Sequence, residues 1–167
     1  VELGRFNAVE KESDAVDGPL YTKISGNNFT IDVIHFNKNG KTKDFDGNVD
    51  LELVDPTSGS KCSELLSIAY VGNPTFNENK SPRTTATGIS YTSSIDTARI
   101  RITESNPPGG STPEQGCSLD TFTIRPAYLT LNTTDRDWAS PGTDRTLDGN
   151  NSGTCKASGG SQTCHKA

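Results

Sequence analysis

The run Cys117-Ser118-Leu119-Asp120-Thr121-Phe122-Thr123-Ile124-Arg125-Pro126 decides how this chain is read. Phe122 and Ile124 alternate with Thr121, Thr123 and Arg125, the period of a strand with one buried face. Pro126 ends the ladder because it has no N–H to donate. A cysteine, a last strand and an exit proline in succession mark the close of a domain. The boundary therefore falls at residue 127, with a β-sandwich domain over 1–127 and a strand-like junction and polar tail over 128–167.

The same alternation runs back toward the N-terminus. Gly4 to Glu10 and Pro19 to Ile24 read as two strands, followed by the Gly26-Asn27-Asn28 turn. Phe29 to Phe36 then puts Phe29, Ile31, Val33 and His35 on one face, and Asn37-Lys38-Asn39-Gly40 supplies hairpin turn chemistry. Asn48 to Val54 points Val49, Leu51 and Leu53 inward and acids outward, until Asp55-Pro56 breaks it. Leu65 to Tyr70, Gly88 to Ser93, Ala98 to Thr103 and Thr121 to Arg125 continue the series, and helix periodicity is nearly absent.

About seven to eight short strands, with turn signals every 8–12 residues or so, predict an all-β immunoglobulin-like β-sandwich, with a barrel as the alternative. The predicted core is Phe29, Ile31, Val33, Leu51, Leu53, Ile100, Ile102, Phe122 and Ile124, and Arg101 on the opposite face should matter little energetically. Residues 72–87 contain Asn73-Pro74, Ser81-Pro82, Lys80 and Arg83 and read as a long mobile or surface-laid loop. Ala127 to Leu131 is one more strand-like run. From Asn132 onward the chain is rich in Asp, Gly, Ser and Thr, with Trp138 and Leu147 its large apolar residues, so the tail is expected to be irregular and without a core of its own. Trp138 would then pack on the sandwich or join a neighbouring molecule.

Composition narrows the partners. The chain has 167 residues, enough for one domain with a real core plus a small extra segment, and 30% of them are hydrophobic. A net charge of −5 without any Lys/Arg block gives no extended positive field, which argues against nucleic acid and anionic membrane. There is no apolar run long enough for a membrane span. The absence of Met and the Val1 start lead us to expect a mature product or an excised fragment.

Four cysteines, Cys62, Cys117, Cys155 and Cys164, are even in number and fall as one pair in the body and one near the end. Two disulfides in an oxidising compartment are the natural reading. A zinc site would need paired short Cys-x2-4-Cys spacings, which are absent, and free thiols remain the other alternative. Closing the Cys62–Cys117 loop removes about 4 kcal/mol of unfolded-chain entropy, against just under about 3 for Cys155–Cys164. Cys164-His165 resembles the end of a c-type haem motif with Cys155 as the second thiol and His35 as the remaining axial candidate. The gap is much wider than the Cys-x-x-Cys-His spacing that chemistry uses.

Calcium is the better ion candidate, because Asp44, Asp46, Asn48, Asp50 and Asp55 supply hard oxygen ligands over a short stretch. Their spacing departs from an EF-hand, and the competing reading is that outward acids keep a sheet soluble. Asp135, Asp137, Asp144 and Asp148 form a second acidic group on the tail. His35, on an apolar face, reads as a packing residue. Sequons at Asn28, Asn132 and Asn150 are expected by chance in so Asn- and Thr-rich a chain. No Gly-x-Ser-x-Gly, His-Glu-x-x-His or Walker loop is present, so no catalytic residues are assigned and a non-enzymatic chain is expected. Acids for glycoside cleavage need only meet in space, and sequence does not test for them.

The order Phe6-Asn7-Ala8-Val9-Glu10, Tyr21-Thr22-Lys23-Ile24 leading into Phe29 to Phe36, Phe45 to Asp55, Cys62, and Cys117 to Pro126 resembles a domain of the large surface proteins of Gram-negative bacteria that include the MSHA-type pilus biogenesis protein Q group. Trp138 and the closing His165-Lys166-Ala167 are similar to that family's tail before its next β-module, while Cys155 and Cys164 depart from it. The resemblance implies a secreted or cell-surface structural or adhesion module with a protein or glycan partner. The alternative is a self-associating filament subunit, in which an edge accepts a strand donated by Ala127 to Leu131 or by Val1 to Glu10.

Overall fold

The computed structural model describes residues 4–76 and 81–128, with the backbone of three further short strands at 146–147, 154–157 and 160–163. In chain order the strands are β1 (Phe6–Glu10), β2 (Lys23–Ile24), β3 (Phe29–His35), β4 (Gly47–Asp55), β5 (Leu66–Gly72), β6 (Thr75–Phe76) and β7 (Arg83–Ile89). Then come β8 (Ile95–Glu104), β9 (Gln115–Cys117), β10 (Phe122–Arg125), β11 (Thr146–Leu147), β12 (Thr154–Ala157) and β13 (Gly160–Thr163). Single 3-10 turns lie at Cys62–Glu64 and Pro108–Gly110, and there is no α-helix among the described residues. None of the described helices is long and apolar enough to cross a membrane. The chain divides into two compact units, Val1–Ala127 and Tyr128–Ala167.

The first unit is a sandwich of two sheets. One has the order β1-β3-β7; the other runs β2-β10-β8-β4-β5, with β6 extending the pairing along β4 and β9 extending it along β8. All pairs are antiparallel except β2 with β10, where Ile124 faces Lys23 and Arg125 faces Ile24 in parallel. Alternation along each strand sends one set of side chains into a shared core: Ile31 and Val33 from β3, Leu51 and Leu53 from β4, Ile100 and Ile102 from β8, Phe122 and Ile124 from β10. Phe29 packs against it half-buried. All nine sequence-predicted core residues thus lie in or against one cluster.

The structure departs from the sequence reading in several places. Residues 83–89, read in large part as loop, form β7, a Thr-rich edge strand in which only Ala86 and Ile89 are buried. Asn73-Pro74 kinks β5 into β6 without breaking its pairing to β4, and 77–80, including Lys80, lie outside the described residues. Arg101 is far from idle: its Nε donates to Glu52 Oε2 at 2.8 Å and its Nη1 to the Leu65 carbonyl oxygen at 2.8 Å. β3 is buried on both faces, because the segment after β1 is laid across its outer side. There Arg83 bridges Asp32, at 3.0 Å, to the carbonyl oxygens of Ser13, Asp14 and Ala15. Asn7 ties the same segment down through the Val16 carbonyl oxygen.

The two lateral openings of the sandwich differ. At the β1/β9 side the backbones nearly touch: a Cβ built on Gly4 would lie 2.6 Å from the Gly116 Cα. Arg5 N–H donates to the Gln115 carbonyl oxygen across this seam at 3.0 Å. At the other side, the free edges of β5 and β7 are both bulged. β5 slips register twice against β4, and β7 once against β3, where Gly88 takes φ +70°.

In the second unit β11, β12 and β13 form a three-stranded antiparallel sheet, where the sequence led us to expect irregular chain. Backbone pairing needs no large apolar side chains, so composition does not reveal it. Of the expected Ala127 to Leu131 strand, Ala127 and Tyr128 are not in strand, and the rest lies outside the described residues, as does Trp138.

Candidate functional site

Cys62 and Cys117 are bonded, with their Cα atoms 5.6 Å apart. The bond joins the β4–β5 connection to β9 and packs with Val54 and Leu65 in a small cluster outside the main core. Hydrogen bonds fix that connection at both ends. Asp55 Oδ1 accepts from the Thr57 N–H at 2.8 Å and from the Thr57 hydroxyl at 2.6 Å, and this pair of donors holds the Asp55 carboxyl below its ordinary value. Glu64 Oε2 accepts from the Ser60 hydroxyl and the Lys61 N–H, which sets the 3-10 turn carrying Cys62.

Above this disulfide lies a cleft of about 600 Å³ whose lining includes Arg5, Lys38, Lys61 and Arg99. It is built from the chain entering β1, the turn after β3, the disulfide-bearing connection, the outward face of β8 and the end of β9. Asn37 holds the β3 turn by accepting from the Asn39 and Lys41 N–H groups, which presents Lys38 at the rim. Arg5 is anchored by its Nε, which donates to the Phe36 carbonyl oxygen, and by its Nη2, 2.6 Å from Glu114 Oε1.

Arg99 differs from its neighbour on the same strand face. Arg101 has Glu52 as counter-ion, 2.7 Å away; among the described residues Arg99 donates only to the Leu119 carbonyl oxygen, at 3.0 Å, and its buried Nε has no partner there. Lys61 reaches no closer than 3.9 Å to Glu64, and Lys38 has no ion pair among the described residues. An acidic chain thus collects four cations at one cleft whose lining, among the described residues, holds no carboxylate or imidazole. Guanidinium, ammonium, amide and hydroxyl groups in such a lining offer donors suited to an anion.

The other sequence candidates lie elsewhere. Asp44 and Asp46 are exposed ahead of β4, while Asn48 and Asp50 are both engaged by Asn73, at 2.9 Å and 2.7 Å. Asp55 caps its own turn beyond the other end of β4. No group of three or more His, Cys, Asp or Glu is placed to hold a metal among the described residues. His35 is buried against Phe6 and Phe45, with Nδ1 2.7 Å from the Lys43 carbonyl oxygen and Nε2 2.8 Å from Glu114 Oε2. Both ring nitrogens are engaged, as suits a packing residue. Asn28 is exposed in its turn, whereas Asn132, Asn150, Cys164, His165 and the acids Asp135, Asp137, Asp144 and Asp148 lie outside the described residues. Cys155 falls on β12, its side chain likewise outside them.

The cleft itself was missed from sequence, because its cations are scattered from Arg5 to Arg99 and converge only through the fold. One signal was present: Lys61 adjoins the cysteine whose pairing draws β9 and its neighbours together. No protein-family model matches the chain, and no curated protein matches it.

Proposed function

We propose that this chain is a non-enzymatic binding module of a pilus-associated or adhesin-like protein, secreted or displayed at the surface of a Gram-negative bacterium. The observation that carries the reading is the cationic cleft above Cys62–Cys117, a concave site with binding groups and a covalently fixed floor. A disulfide closing a loop of 55 residues suits an oxidising compartment. The immunoglobulin-like assignment gains support from the strand order, in which β3 and β4 lie in different sheets and β2 pairs parallel with β10. The similarity to the MSHA-type pilus biogenesis protein Q group stands on the residues quoted above.

Assembly by strand addition is the weaker reading. β1 is already paired along its length with β3, so Phe6 to Glu10 is occupied within its own chain. The bulges of β5 and β7 are the device by which sheets blunt their edges against an incoming strand. Protease shaving of intact cells that make the parent protein tests surface display. Loss of the chain under external protease is expected, and protection until the cells are lysed would refute the reading.

A further inference from the structure

We propose that the cleft above the Cys62–Cys117 disulfide binds the carboxylate of an acidic saccharide. The inference rests on the surface-binding reading and names its ligand class. Arg99 provides the central charge. It projects from the outward face of β8 beside Arg101, yet among the described residues it lacks the carboxylate partner that Arg101 has, and its buried Nε, without an acceptor there, adds to the cost of the charge. A half-buried guanidinium with no counter-ion is an electrostatic cost in the free protein that a bound anion relieves, and its planar fork matches a carboxylate. Lys38 and Lys61 stand at the rim, where their charge draws an anion in against the net −5 of the whole chain.

The uncharged part of the lining selects the rest of the ligand. Asn37, Ser60, Ser63 and Gln115 carry amide and hydroxyl groups that both donate and accept, as sugar hydroxyls require. Among the described residues no large apolar or aromatic side chain lines the cleft, so a peptide would find there none of the pockets in which protein partners seat their anchors. The volume, about 600 Å³, suits a few sugar rings.

The test is calorimetric titration of the full chain with trigalacturonate, sialyllactose, neutral galactotriose and a hexaglutamate peptide, at low and high salt. Binding of trigalacturonate or sialyllactose is expected. Which of the two binds better distinguishes an internal uronic acid from a terminal sialic acid. That binding should weaken with salt and fall by about tenfold or more in Arg99→Gln. Because Arg99 is half-buried, the double variant Lys38→Ala/Lys61→Ala, which changes only exposed residues, guards against misfolding: it should lose affinity with an unchanged melting curve. The proposal is overturned if the folded chain binds neither acidic saccharide, if galactotriose or hexaglutamate binds as tightly, or if neither variant alters binding. A displayed chain that fails to bind defeats this inference alone; saccharide binding by a chain protected inside cells defeats the surface reading and leaves the cleft standing.

Discussion

A Cβ added to Gly116 would lie 2.3 Å from the carbonyl oxygen of Phe6, closer than a real Cβ is ever found. Gly116 on β9 and Phe6 on β1 are where one side of the sandwich closes, and backbone on both sides leaves nothing flexible to yield. Gly116→Ala should therefore destabilise by about 2–3 kcal/mol or more in urea melts. Gly72→Ala, with nothing within 4 Å of the new Cβ, should stay within about 0.5 kcal/mol. Equal effects would mean that β1 and β9 do not meet as described.

Ile100 and Arg101 are successive residues of β8 on opposite faces, and the structure makes both matter. Ile100 is fully buried in the core, so Ile100→Ala should cost about 2–5 kcal/mol. Arg101→Ala removes the partner of Glu52 and of the Leu65 carbonyl oxygen, and about 1–3 kcal/mol is expected in place of the near-neutral effect that its outward position alone suggests. A neutral Arg101→Ala would show the Glu52 pair to be dispensable.

The contrast explains what the sequence disclosed. Period-two alternation reports which residues face the core, and Leu51, Leu53, Ile100, Ile102, Phe122 and Ile124 are all there. It says nothing of what covers the outer faces. Ile34 and Phe36, on the side opposite Ile31, Val33 and His35, are buried with Val9, on a sheet over whose outer side Arg83 and Asn7 hold a connecting segment. β7 was mistaken for loop because an edge strand built on Thr needs few apolar residues. The cleft was invisible for a different reason: four charges from four separate segments carry no local pattern.

Asp55 offers a check on the connection that carries Cys62. Its carboxyl is held below the ordinary value of 3.8 by the Thr57 hydroxyl first and the Thr57 N–H second. A depressed folded-state value means that the carboxylate's contribution to the turn is present above 3.8 and is lost as the pH falls through that lower value. Carbon-detected NMR titration should show Asp55 ionising below 3.8, and Thr57→Val should move it back part of the way. No change in Thr57→Val would dissociate the two residues.

Reduction of Cys62–Cys117 should lower stability by about 4 kcal/mol, the entropy that the closed loop withholds from the unfolded chain. Amide exchange should rise at Val54 and Leu65, which pack on the bond, before it rises at Ile31 or Val33 in the main core. Uniform acceleration would mean that the bond supports the whole sandwich and not the cleft floor in particular.

The central claim is that this sandwich meets its partner through the cleft floored by Cys62–Cys117, and amide chemical-shift mapping during titration with trigalacturonate or sialyllactose tests it most directly. The shifts should concentrate at Asn37, Lys38, the Ser60 to Ser63 turn, Arg99 and Gln115, and should vanish in Arg99→Gln. Shifts centred instead on the exposed Leu66 and Tyr70 of the β5 edge, with the cleft residues unmoved, would contradict it.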